Sequence, residues 1–340
     1  MNWYLQSSEK SDVAKNTKIK FARNVHGIKF NLNTLEEIKP IEEKIQNNLY
    51  NIGYGLRFFK LRDMDNVTKM SLVEKGLITK EFVKNKSQIG SILINDDENI
   101  CIMIGNEDHL EIQVFNCGLD LEAMLNLAIE LDKNMEKVVG YAVSKKYGYL
   151  TACPTNVGTG LKASVVVHLP GLTKTRNTRK ILSAISNFGI NIVSLSGENQ
   201  ENYSCMYQIS NNQTLGISEN EIIQNLKIVV EQIIEEERKA RRMLAKNEIE
   251  LEDIIYRSYG ILSNCKKISS SEAEALLSDI KLGTDLGILK ELNDLQVQKL
   301  YLYTKPANLQ KYLGEKCDKA KREIKRAEVI KQIIANGDVD

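Results

Sequence analysis

Every segment of this chain that reads as a β-strand falls within its first 210 residues, and from Ser218 onward the pattern is helical throughout. Apolar and β-branched residues at the two-residue period of a strand occur at residues 17–24, 56–61, 90–94, 99–104, 109–114, 163–167, 190–195 and 203–209, with weaker strand-like stretches at 138–143 and Tyr149. The turn Asn95-Asp96-Asp97-Glu98 joins two of these, which predicts a hairpin and a mainly antiparallel sheet. The residues before Asn16 are polar and read as an arm. Between the strands, residues 34–50 place Leu35, Ile38, Ile41, Ile45 and Leu49 on one helical stripe. Residues 67–83 read as helix interrupted near Gly76, and 119–135 and 178–188 as two more helices. Ser218 and Glu221 form a capping box that opens a long charged helix running past Arg242. A second region begins near Asp253, with a helix start at Ser269 to Glu272 and a last helix over 316–335. The sum is an α+β chain, a mainly antiparallel sheet flanked by helices over residues 1–252 and an all-helical domain over 253–340.

A formal net charge of +1 gives no long-range attraction toward nucleic acid or an anionic membrane, so neither is expected as a partner and any charge chemistry is local. The six cysteines (Cys101, Cys117, Cys153, Cys205, Cys265 and Cys317) make no C-x-x-C pair and only three histidines accompany them, so no structural metal site is expected. The N-terminus lacks a basic-then-apolar leader pattern, and no apolar run approaches the roughly 20 residues that span a bilayer. A cytoplasmic protein with reduced thiols is the expectation.

The stretch richest in chemistry is residues 151–170, TACPTNVGTGLKASVVVHLP. It sets a thiol, an amide and hydroxyls before the turn Gly158-Thr159-Gly160 and then enters a β-branched strand. Two glycines so close call for a backbone at positive φ or for close approach of a ligand to its amides. Upstream, residues 17–24 alternate basic and apolar side chains, placing Lys18 and Lys20 on one strand face. Taken alone, that is a solvated edge strand whose lysines discourage pairing. The acidic loop Asn106-Glu107-Asp108 leads into His109, Glu111 and Gln113 at alternate positions, a polar strand face that suits a site better than a packed core.

Residues 151–162 resemble the signature of the guanido kinases, which move a phosphoryl group between ATP and a guanidinium nitrogen. The order of blocks makes the resemblance specific: KIKFARN, NEDH, CPTNVGTG, SGE, then RSYGILSNC at 257–265. Phosphagen kinases place a small helical domain before the catalytic one. Here a helical domain follows it instead, which resembles the bacterial protein-arginine kinases. The resemblance implies ATP and Mg2+ as cosubstrates, arginine-bearing proteins as acceptors, and a role in marking proteins for a Clp unfoldase and protease in stress response. It also implies an activator protein and a homodimer.

By the same resemblance Glu107 is the catalytic carboxylate and base, Glu198 a second acidic group, and Cys153 lies beside the guanidinium. The alternative for Cys153 is a small buried hydrophobe. The nucleotide is expected on Asn16, Thr17, Lys18, Ile19 and Lys20, on Lys162, Ala163, Ser164, Val165 and Val166, and on Ser194 and Gly197. In the tail, residues 321–327 (KREIKRA) resemble the RDxxRA motif that reads phosphoarginine, which assigns Arg322, Glu323, Arg326 and Ala327, with Glu323 where the motif has Asp.

The chain also departs from the family. Lys18, Lys20 and Lys162 stand where the family has arginines, which keeps the charge and loses the bidentate fork. Glu111 and Val193 occupy two more arginine positions, and Gly76 falls where a nucleotide-contacting histidine is expected. Two readings follow. One is an active protein-arginine kinase with an altered phosphate site. The other is a pseudokinase on the same scaffold that binds phosphoarginine or a partner.

Overall fold

The computed structural model describes residues 2–176, 189–195 and 202–336. Among these, an eight-stranded sheet runs in the order β2-β3-β4-β5-β1-β8-β10-β9. Its strands are β1 (Ala14–Arg23), β2 (Arg57–Lys60), β3 (Ser91–Ile94), β4 (Ile100–Ile104), β5 (Leu110–Cys117), β8 (Leu161–His168), β9 (Ile190–Ser194) and β10 (Met206–Asn211). The pair β6 (Val143–Ser144) and β7 (Gly148–Tyr149) forms a separate ribbon. Every pairing is antiparallel. The expected strand at 138–143 is displaced, because the Leu121–Val139 helix continues through Val138 and Val139 and stops only at Gly140.

β1 is a central strand, bonded to β5 on one side and β8 on the other, and so not the edge strand its lysines suggest. Alternation along it divides the chemistry. Ile19 and Phe21 join Ile112, Val114, Ala163, Val165 and Ile209 in the main core. The helices Leu121–Val139 and Glu219–Leu244 cover that face with residues such as Leu125, Leu131, Leu226 and Ile233. The Glu219–Leu244 helix opens with both halves of the Ser218/Glu221 capping box.

The opposite face carries Lys18 and Lys20, in register with Ser164 and Lys162 on β8 and with Phe115 and Gln113 on β5. Toward β3 and β4 it closes over a small apolar cluster of Trp3, Leu72, Phe82, Ile92, Met103 and Phe115. Trp3 is 6% exposed and stacks on Phe115, so the N-terminal arm is seated on the sheet by its tryptophan.

A second core gathers residues from Leu251 to Ile333, drawn from the helices Glu248–Asn264, Ser270–Asp285, Asp294–Tyr303, Pro306–Leu313 and Lys319–Asn336 and from Ile268, Leu289 and Leu292 in the connections between them. The change of region expected near Asp253 therefore falls inside a helix that has already begun. This helical layer packs on the polar face of the sheet. Glu74 accepts from the Ala307 and Asn308 amides at 2.8 Å each, so a carboxylate of one layer satisfies the free donors at a helix N-terminus of the other. Arg241 reaches Asp285 at 3.1 Å, and the His168 ring meets Ser278 Oγ at 2.8 Å. Among the described residues, no helix is long and apolar enough to cross a membrane.

Candidate active site

Two loops close one end of the polar face, and Asp108 ties them together. Its Oδ1 accepts from Asn24 Nδ2 at 2.6 Å and from the Ala152 amide at 2.6 Å. The neighbours of Asp108 and Ala152 in the chain are Glu107 and Cys153, so this anchor brings the proposed base and thiol to the same end of the sheet. Glu107 is exposed. Cys153 is partly exposed, with Sγ 3.0 Å from Thr155 Oγ1. His109 does not share the polar strand face with Glu111 and Gln113. It is fully buried, accepting at Nδ1 from the Val25 amide at 3.0 Å, with Nε2 2.7 Å from the Lys29 carbonyl, and it fixes the loop after β1.

The Gly-Thr-Gly turn is shaped by its protein neighbours. Gly158 has φ +113, and a Cβ there would sit 2.3 Å from Thr214 O. Gly160 has φ +64, and a Cβ there would sit 2.5 Å from Arg23 Nη1. Both glycines admit backbone or a guanidinium of the same chain. Arg23 is 1% exposed, paired to Asp132 at 2.8 Å and bonded to Thr159 O at 2.9 Å, so it locks the turn to the Leu121–Val139 helix.

From this end, Lys20 and Lys162 come first and Lys18 lies one pleat further along β1, roughly 7 Å away at strand spacing. Burial pushes the Lys18 ammonium down to about 8, with repulsion from Lys20 adding to it. Burial and then Lys20 lower Lys162 as well. Desolvated cations that repel one another make a face that favours an anion. Glu111 shares this face, 3% exposed, with Oε2 3.1 Å from Lys20 Nζ and Oε1 accepting from Asn106 Nδ2 at 2.8 Å.

Beyond Lys18 the face opens into a cleft of about 450 Å3, which also includes Asn16, Ser164 and Val166. Phe115, Val166 and Met206 are the apolar part of its floor; Trp3, Gly76 and Lys75 form one wall and Gln298, Tyr301 and Lys305 another.

Of the remaining expected nucleotide residues, Ile19, Ala163 and Val165 have their side chains in the main core, and Thr17 is buried with Oγ1 donating to Gly118 O at 2.7 Å. Ser194 sits on β9 opposite Tyr207, while Val193 lies opposite Gln208 of the cleft and is 39% exposed. Gly197 and Glu198 lie outside the described residues, as does the helix expected at 178–188.

The tail residues are close together but committed to structure. Arg326 is 2% exposed, with Nε donating to Thr304 O at 2.6 Å and Nη1 to Ile268 O at 2.8 Å. Arg322 Nη1 donates to Cys317 O, the Glu323 carbonyl accepts from Ile268 N, and Ala327 is in the second core. The cleft wall from the helical layer has no counterpart in the sequence reading. Local patterning marks Gln298 and Tyr301 only as helix residues, although the lone Trp3 in a polar arm was a signal that something there is buried.

A family model described as "ATP:guanido phosphotransferase, C-terminal catalytic domain" matches residues 37–240, and one described as "Protein-arginine kinase McsB C-terminal domain" matches residues 248–339. The protein-arginine kinase of Halothermothrix orenii is 43% identical over 333 residues, covering 97% of this chain and 95% of that protein. That of Halalkalibacterium halodurans is 41% identical over 334 residues, covering 97% and 94%. In fold, a lombricine kinase aligns at TM-score 0.58 and 24% identity over 68% of each chain. A substrate-free taurocyamine kinase from Schistosoma mansoni aligns at 0.59 and 21%, over 79% of this chain and 40% of that one. The chain belongs to the ATP:guanido phosphotransferase family, among its protein-arginine kinases.

Proposed function

We propose that this protein transfers the γ-phosphoryl group of MgATP to arginine side chains of proteins. The observation that carries the reading is the layout of the polar face. Lysines 18, 20 and 162 line a path from a nucleotide-sized cleft to the loops bearing Glu107 and Cys153, in a chain whose relatives named protein-arginine kinase match it nearly end to end.

A guanidinium is a poor nucleophile, because its charge is delocalised and its pKa exceeds about 12. Glu107 would fix the planar fork and take the Nη proton as that nitrogen attacks the γ-phosphorus. The bond from the γ-phosphorus to the β–γ bridging oxygen breaks, and ADP leaves with its electron pair. Cys153 would orient the guanidinium from the other loop. The lysines would neutralise phosphate oxygens, with magnesium carried on the nucleotide's own phosphates. Glu198 would add a second carboxylate. On this reading residues 1–252 are the catalytic unit, and residues 253–340 hold the candidate phosphoarginine-reading segment around Arg322 and Arg326. Marking of unfolded proteins for a Clp-type protease, a homodimeric state, an activator and a cytoplasmic location belong to the same proposal.

Glu111 on the phosphate face is the observation that favours a binding-only protein. The deciding experiment is acid-labile phosphoarginine formation on an unfolded, arginine-rich acceptor with MgATP, run beside Glu107→Ala. Labelling by the parent and none by the variant is expected. No labelling by either, with no saturable ATP binding, would sink the kinase reading.

A further inference from the structure

We propose that the helical C-terminal domain reads the nucleotide base, Gln298 accepting a hydrogen bond from the exocyclic amine of adenine and Tyr301 donating one to the neighbouring ring nitrogen. This rests on the kinase reading above and extends it to a domain that holds neither the lysines nor the catalytic loops.

The direction of the nucleotide follows from β1. Lys20 and Lys162 lie toward the Glu107 end and Lys18 toward the cleft. A γ-phosphate presented to Glu107 with its oxygens on these lysines sends the base the other way, into the cleft. The cleft suits a base: its floor is apolar at Phe115, Val166 and Met206, and Trp3 stacks on Phe115 with centroids 5.4 Å apart and planes within 12°.

Gln298 and Tyr301 stand on the wall made by the Asp294–Tyr303 helix, three residues apart and so on one helix face. Gln298 Nε2 donates to the Gln6 carbonyl at 2.7 Å. A carbonyl only accepts, so this bond fixes which way the amide points and leaves Oε1 as an acceptor. Among the described residues Gln298 Oε1 is buried without a hydrogen-bond partner, and so is Tyr301 Oη. Both residues line the cleft, and each carries a buried polar atom whose missing bond is costly unless a ligand reaches it and completes it. Adenine presents an amine and a bare ring nitrogen side by side, the complement of an acceptor beside a hydroxyl. Hypoxanthine presents a carbonyl and an N–H at the same places, which sets acceptor against acceptor.

Trp3 is the only tryptophan and lines the cleft, so its fluorescence reports occupancy independently of catalysis. The test titrates the full-length protein with MgATP and MgITP, for the parent, Gln298→Leu and Tyr301→Phe, beside the phosphoarginine assay. The parent should bind ATP at least about tenfold tighter than ITP, and each variant should weaken ATP by about tenfold while leaving ITP within about twofold. Equal weakening of both nucleotides, or no change in either, overturns the proposal. Tyr301→Phe removes one oxygen and keeps the packing, so it decides the matter if Gln298→Leu fails to fold. A parent that labels arginine but binds ATP and ITP alike defeats this inference alone. A parent that binds neither nucleotide and labels nothing defeats the kinase reading itself.

Discussion

Glu111 holds Lys20 at 3.1 Å on the polar face of the sheet, so one of the three lysines there is already neutralised within the protein. Glu111 is 3% exposed and Lys20 22%, and Asn106 fixes the other carboxylate oxygen at 2.8 Å. Glu111→Gln keeps an oxygen for Asn106 and frees the ammonium. We expect KM for MgATP to fall about tenfold, equivalent to about 1.4 kcal/mol of better phosphate binding. Stability should drop by roughly 1–3 kcal/mol as a mostly buried lysine loses its partner. A KM that rises instead would mean that the carboxylate itself helps to hold the nucleotide.

Arg326 spends its guanidinium on the carbonyls of Thr304 and Ile268, which tie three separate segments of the helical layer together. Arg326→Ala should therefore cost roughly 2–4 kcal/mol of stability, two charged hydrogen bonds with their acceptors left buried. Denaturant unfolding followed by circular dichroism measures this. A variant as stable as the parent would show that the Arg326 guanidinium is free for a ligand.

The strand–helix partition, the Ser218/Glu221 capping box and the placement of Lys18 and Lys20 on one face were legible because each is set by local periodicity or by a local hydrogen bond. The centrality of β1 was not legible, since lysines at alternate positions look the same on an edge strand as on a face that awaits an anion. Nor was the role of His109, whose partners Val25 and Lys29 are some eighty residues away. The cleft wall was beyond reach for a related reason: Gln298 meets Gln6 across 292 residues of sequence, and no period records such a contact. Of the proposed active-site residues, Glu107 and Cys153 were found through their motif. Asp108, which anchors both loops, was visible only as part of an acidic turn.

His168 is fully buried between the layers, with Ser278 Oγ on Nε2. Burial first, then the charges of Arg241, Lys15 and Lys281, hold its pKa well below the ordinary histidine value. The unfolded chain takes up this proton near pH 6.5 and the folded chain does not, so the unfolded state binds more protons below that pH. Stability is thus fully present above pH 6.5 and is lost as pH falls, by at most about 1.4 kcal/mol per unit from this one group. His109, also lowered chiefly by burial, acts in the same direction. Chemical denaturation between pH 7 and pH 5 should show the slope, and His168→Gln should reduce it while leaving the His109 part. An unchanged slope in the variant would remove His168 from the account.

Gly158 is the turn position with the least freedom, because φ +113 excludes ordinary side chains and a Cβ would press on the Thr214 carbonyl at 2.3 Å. Thr214, just after β10, in turn braces the segment that follows Cys153, its Oγ1 hydroxyl shared between the carbonyls of Thr155 and Val157 at 2.8 Å each. A methyl group at 158 therefore pushes on the residue that holds the segment following Cys153. Gly158→Ala should cost roughly 2–4 kcal/mol through strain and backbone collision together. Gly287→Ala provides the control, since Gly287 has φ +70 but open space around it and should cost only about 1 kcal/mol. The functional signature is a fall in kcat with KM for ATP little changed, because the displaced loop is the one expected to orient the acceptor rather than the nucleotide. Equal stability losses at the two glycines would show that φ alone matters. A loss confined to KM for ATP would move the turn's role from the acceptor to the nucleotide.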